Sequence, residues 1–99
     1  MNDKNRILIV GRQQGSIDTI TRLLEGVGCI VTGTTNDGVA IDLAGSSDYD
    51  ALLIESAVSY SDGRYVATEA RSKKPSLPVI IVQSPESVMT QLRGAGVKL

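Results

Sequence analysis

Ile7-Leu8-Ile9-Val10-Gly11 is the stretch on which the fold turns. Its apolar residues follow one another without a polar position, so neither side of the segment is made for water. That is the pattern of a strand buried on both faces of a parallel sheet, and the glycine closes it. A helix is expected next: Ser16 can cap it, and Ile17, Ile20, Leu23, Leu24 and Val27 fall on one helical stripe before Gly26 and Gly28 end the element.

Further along the chain the same alternation recurs. Ile30–Thr34 reads as a shorter, more polar strand nearer a sheet edge, and Asn36 or Asp37 then caps a weak helix with Val39, Ala40, Leu43 and Ala44 inward, stopping near Gly45. Ala51-Leu52-Leu53-Ile54, closed by Glu55, is a third strand. A loop over 56–63 leads to a short helix marked by Tyr65, Val66, Ala67 and Ala70, which Pro75 closes. Pro78 introduces Val79-Ile80-Ile81-Val82, the most hydrophobic strand. Ser84-Pro85-Glu86 then gives the cap, first-turn proline and acid of a last helix carrying Val88, Met89 and Leu92, which Gly94 and Gly96 end. Strands alternating with helices at this spacing predict an α/β doubly wound parallel sheet with right-handed crossovers and helices on both faces.

Composition narrows the function. The 99 residues carry 41% hydrophobic and 21% charged side chains and no dividing linker, so one globular domain, 1–99, is expected. Phe and Trp are absent, and the core must be aliphatic. Ten basic and eleven acidic residues nearly cancel, and without a basic patch direct nucleic-acid binding is not expected. No apolar stretch approaches the ~20 residues of a membrane span, and the polar start Met1-Asn2-Asp3-Lys4-Asn5-Arg6 has no signal-peptide core, which points to a cytoplasmic protein. There is no histidine, which excludes imidazole catalysis, and the single cysteine, Cys29, reads as a buried, inert thiol.

In open α/β sheets functional groups gather at the carboxyl ends of the strands, here after Val10, Ile54 and Val82. Read there, the chain resembles the response-regulator receiver domains of two-component signalling, a flavodoxin-like family. The likeness runs through Arg6-Ile7-Leu8-Ile9-Val10, Tyr49-Asp50-Ala51-Leu52-Leu53-Ile54-Glu55, Asp62-Gly63, Leu77-Pro78-Val79-Ile80-Ile81-Val82 and Gly94-Ala95-Gly96. Its most specific element is the loop motif Asp62-Gly63, standing at the family's distance from Glu55.

The resemblance implies a phosphorylation centre, and the sequence departs from it at most positions. Receivers hold Mg²⁺ with an acid pair after the first strand; here Gly11 and Arg12 stand in those places, and Mg²⁺ binding is expected to be lost. The phospho-acceptor position is Glu55, whose extra methylene carries the carboxylate outward by roughly 1.5 Å from an in-line position. The switch-hydroxyl positions are Gln83 and Ser84, the latter better placed as a helix cap. The family's last strand, its lysine and its last helix have no counterpart, which makes the domain C-terminally incomplete relative to the family and leaves strand 79–82 as an apolar edge.

The expectation is a degenerate pseudo-receiver: no enzyme, no catalytic residue and no cofactor, but a non-phosphorylatable interaction module of a phosphorelay-type pathway. Its partner would be a signalling protein, meeting the switch face or the edge, or a second copy at the edge. Two alternatives stand beside it: a receiver still phosphorylated at Glu55 or nearby, and a small-ligand sensor using the crevice at Gly11, Arg12 and Glu55. Arg12 either pairs with Glu55 or is a solvated loop cation. Tyr60 and Tyr65 are candidates for a partner surface, Tyr65 equally for packing on its own helix.

Overall fold

The computed structural model describes residues 4–99; the first three residues of the polar start, Met1 to Asp3, lie outside them. Four strands, β1 (Arg6–Val10), β2 (Ile30–Thr34), β3 (Ala51–Ile54) and β4 (Val79–Ile81), alternate with α1 (Gln14–Glu25), α2 (Asp37–Ser46), α3 (Tyr60–Lys73) and α4 (Val88–Gly94). All pairings are parallel and the order is β2-β1-β3-β4. This is the doubly wound, flavodoxin-like sheet that the sequence predicts. Its register sets Val10 opposite both Thr34 and Ile54, and Ile54 opposite Ile81, so the carboxyl ends of the strands share one rim.

The two continuously apolar strands are central: from Ile7 to Val10 and from Ala51 to Ile54 no residue is more than 1% exposed. Their side chains feed two aliphatic layers. Ile7, Ile9, Ala51 and Leu53 pack under α1 and α4 with Ile17, Ile20, Leu24, Val88 and Leu92. Leu8, Val10, Leu52 and Ile54 pack under α2 and α3 with Ala40, Ile41, Val66 and Ala70. β2 is the polar edge, with Ile30 and Gly33 exposed.

Several local expectations are corrected. Ser16 does not cap α1: the helix begins at Gln14, and Gln13 holds the cap position without a side-chain bond. Asn36 is the cap of α2, accepting from the Val39 N–H at 3.0 Å, and Ile41 rather than Val39 turns inward. The loop expected over 56–63 is half helix, because the Ser59 hydroxyl accepts from the Asp62 N–H at 3.2 Å and starts α3 at Tyr60. Asp62 and Gly63 therefore stand in the first turn of a helix, not in a loop. Ser84 is at the cap position, as expected, but what it opens is a 3-10 turn, Pro85–Ser87, before α4. After Glu25 the chain turns at Gly28, whose φ of 89° is one that a side chain would strain.

The edge strand is also shorter and better covered than expected. β4 stops at Ile81, and α4 lies over its α1-side face, leaving Ile80 8% and Val82 1% exposed; Ile81, on the other face, stays 58% exposed.

Candidate functional site

The rim formed by the strand ends brings Gly11, Arg12 and Glu55 together, and the way they fit overturns both readings of Arg12. Glu55 is the one buried charged residue among those described, 3% exposed. Its Oε1 accepts from the backbone N–H groups of Arg12 at 2.7 Å and Gln13 at 3.1 Å, and its Oε2 from the Ala57 N–H at 3.3 Å. The carboxylate thus points inward and caps the start of α1, where backbone N–H groups have no intrahelical partner and the helix dipole favours an anion. It replaces the local cap that Ser16 does not provide. The Glu55 carboxylate is held by these three N–H groups rather than left free at the rim.

Gly11 makes the room. A β-carbon there would stand 2.6 Å from Glu55 Oε1 and 2.9 Å from Glu55 Cβ, closer than atoms can approach. The absent side chain at one family position and the longer side chain at another are therefore a single packing solution.

The Arg12 side chain leaves Glu55 to the backbone and crosses to the opposite side of the rim. Its guanidinium forks onto Asp37, with Nη1 to Oδ1 at 2.9 Å and Nη2 to Oδ2 at 2.8 Å, and Nη2 also reaches Asp62 Oδ2 at 3.1 Å. Arg12 is neither paired with the Glu55 side chain nor free in solvent. The hydrogen bonds to Asp37, and secondarily those to Asp62, push the guanidinium still further above its already high ordinary value. One permanent cation thereby ties the β1–α1 loop to the first turns of α2 and α3.

Asp37 is the residue that sequence reasoning missed in this role. It was legible only as a helix-start acid; nothing in spacing shows that a guanidinium 25 residues earlier reaches it. Gln83 and Ser84 share the rim but make no hydrogen bond to Glu55 or Arg12 among the described residues. Instead the Gln83 N–H donates to Gln91 Oε1 at 3.1 Å and the Ser84 N–H to Ser87 Oγ at 3.2 Å, which pins the loop after β4 to α4.

The place of the family's acid pair holds a glycine and a guanidinium, Asp37 and Asp62 already face a positive charge, and Glu55 is filled with backbone donors. Among the described residues no group of three or more His, Cys, Asp or Glu side chains is placed to hold a metal ion. Elsewhere, Tyr60 is 74% and Tyr65 56% exposed on α3, so Tyr65 does not bury its ring. Tyr49 lies at the other end of the sheet, with the Arg6 guanidinium 5.1 Å from its ring centre. Cys29 is 6% exposed, and burial, then the charge of Asp50, pushes its thiol up from the ordinary value. No described helix is long and apolar enough to cross a membrane.

No family model matches the sequence, and no curated protein does. Solved structures do match. The receiver domain from the hybrid histidine kinase CckA superposes with a TM-score of 0.76 at 18% identity, covering 92% of this chain and 98% of that one. A CheY-like response-regulator receiver domain from Methanospirillum hungatei JF-1 gives 0.72 at 20% identity, over 97% of this chain and 78% of that one. The non-phosphorylated HemR receiver domain from Leptospira biflexa gives 0.68 at 21%, over 95% and 77%. The fold is accordingly a receiver-like one.

Proposed function

We propose that the chain is a receiver-type module of two-component signalling that works as a protein-interaction element without phosphoryl transfer, as no enzyme and with no cofactor. One observation carries the reading: the Arg12 guanidinium sits bonded to Asp37 and Asp62 at the rim where a receiver would need its metal, while the Glu55 carboxylate behind it is spent on three backbone N–H groups. Acyl-phosphate formation needs a free carboxylate oxygen aligned with the donor phosphorus and a cation shared with the phosphate. Here the carboxylate faces the protein and the cation belongs to the chain.

The arrangement supports a face held in one state. In a working receiver the loops after β3 and β4 answer to a new phosphoryl group; in this chain the first turns of α2 and α3 are clamped by Arg12 and the loop after β4 is tied to α4. A cytoplasmic signalling protein that reads this rim, with Tyr60 and Tyr65 exposed on α3, would meet the same surface at all times.

The experiment is incubation of the purified chain with a small-molecule phosphodonor and Mg²⁺, followed by intact-mass measurement. The mass is expected to stay unchanged. A stable gain of one phosphoryl group, mapped to Glu55 or a neighbour, overturns the proposal in favour of an atypical phosphorylated receiver.

A further inference from the structure

The open edge of the sheet holds a feature that the reading above does not use. Along β4 the backbone alternates: Pro78 C=O accepts from the Leu52 N–H and the Val82 N–H donates to Ile54 C=O, both toward β3. The C=O of Ile81 and the N–H of Gln83 therefore point the other way, out of the sheet. Both are taken by one side chain. Gln91 Nε2 donates to Ile81 C=O at 2.7 Å and Gln91 Oε1 accepts from the Gln83 N–H at 3.1 Å.

That pair of bonds has a definite meaning. In a parallel ladder, a residue opposite position i donates its N–H to the C=O of i−1 and accepts at its C=O from the N–H of i+1. The Gln91 amide does this opposite Val82. It fills the place of one residue of an adjacent parallel strand, and Ser87 Oγ lies 2.9 Å from both Gln91 Oε1 and the Ser84 C=O, either of which can accept its one hydrogen. With Pro78 at the other end, the strand that remains is the three residues Val79–Ile81.

We infer that Gln91 is a side-chain plug on the open edge of the sheet, standing in for one residue of a fifth strand, and that its removal frees the edge for strand addition by a second copy of this chain. The second copy is favoured over the chain's own residues by handedness. α1 lies on one face and α2 and α3 on the other, as right-handed crossovers demand, yet α4 packs on the α1 face. A connection running through α4 as it lies to a strand beside β4 would be left-handed, the hand that such crossovers almost never take. Another molecule brings no such constraint, and its own Val79-Ile80-Ile81-Val82 segment is apolar and β-branched.

The test compares the wild-type chain with Gln91→Met, which keeps the length and helical preference of the side chain and deletes both hydrogen-bonding groups. At a protein concentration where the wild type is monomeric by light scattering, amide exchange at Gln83 is expected to accelerate by about tenfold in the variant while Val82 stays protected. On concentration, the variant is expected to gain molar mass that the wild type does not. Adding Ile81→Lys to Gln91→Met is expected to return it to the monomer. Should Gln91→Met lose its fold by circular dichroism, Gln91→Glu, which keeps an acceptor for Gln83 but no donor for Ile81, carries the association measurement, with Gln83 exchange expected to stay slow. A folded variant that remains monomeric at every concentration overturns the inference, as does association that Ile81→Lys fails to reverse or that the wild type shares.

Discussion

Glu55 concentrates most of the site's chemistry in one carboxylate. Replaced by Gln, it keeps an oxygen for the Arg12 and Gln13 N–H groups but turns an –NH₂ toward the Ala57 N–H, donor against donor, at a part-buried contact. Glu55→Gln is therefore expected to cost about 1–2 kcal/mol, read as a lower urea midpoint with an unchanged slope. Cys29 gives the pH counterpart. Its thiol pKa is raised by burial, so the protonated form is favoured in the folded chain. The stability that follows is fully present below the thiol's ordinary pKa and is lost as pH rises through that range toward the raised value. Thermal melts compared between about pH 7 and pH 10 should show a steeper alkaline loss for the wild type than for Cys29→Ala. The two residues differ in how far the sequence reveals them. Cys29 could be placed by its apolar neighbours, whereas the inward turn of Glu55 depends on the cavity that Gly11 leaves, a contact between residues far apart in sequence.

At the scale of elements, helix starts are where this molecule spends its polar groups. α2 and α3 each carry a local cap, Asn36 and Ser59, and each places an acid in its first turn, Asp37 and Asp62, against the same guanidinium. Arg12 is therefore a tether between two elements as much as an ion pair. Because its side chain is 31% exposed, screening limits what it contributes, and Arg12→Ala is expected to cost about 1 kcal/mol or less. The sharper expectation is local: hydrogen exchange in the first turns of α2 and α3 accelerates in the variant while the amides of β1 and β3 keep their protection. The elements themselves were readable because apolar periodicity records burial. β1 and β3 announce themselves as continuous apolar runs, and α1 by Ile17, Ile20 and Leu24, whereas Leu23 and Val27, expected on the same stripe, stay exposed and Val27 falls beyond the helix. Caps supplied from a distance leave no such trace, which is why the start of α1 was misplaced, and the start of α3 was lost in a Ser- and Asp-rich stretch that composition reads as loop.

The whole molecule is a sheet packed on both faces, and its stability rests on the two central strands. Leu53 is fully buried between β3 and the α1–α4 layer, so Leu53→Ala should cost about 2–5 kcal/mol, against at most about 0.5 kcal/mol for Ile81→Ala on the exposed side of β4. Chemical denaturation of the two variants side by side checks the contrast. The layer order followed from the alternation of strands and helices, and the side on which α4 lies did not, since Val88, Met89 and Leu92 would suit either face. What decides it is that Ile80 and Val82 present their side chains to the α1 layer and need a cover there.

The interior of both layers is built from methyl groups, and the rings stand at its margin: Tyr60 and Tyr65 exposed on α3, Tyr49 half-buried under Arg6 against the rim of the α2–α3 layer. Ultraviolet emission from this chain consequently reports on its surface and, through Tyr49, on the margin of one layer, and is blind to the α1–α4 side. Selective labelling of isoleucine, leucine and valine methyls would do the opposite, lighting each layer separately and letting one spectrum tell whether the two sides of the sheet melt together.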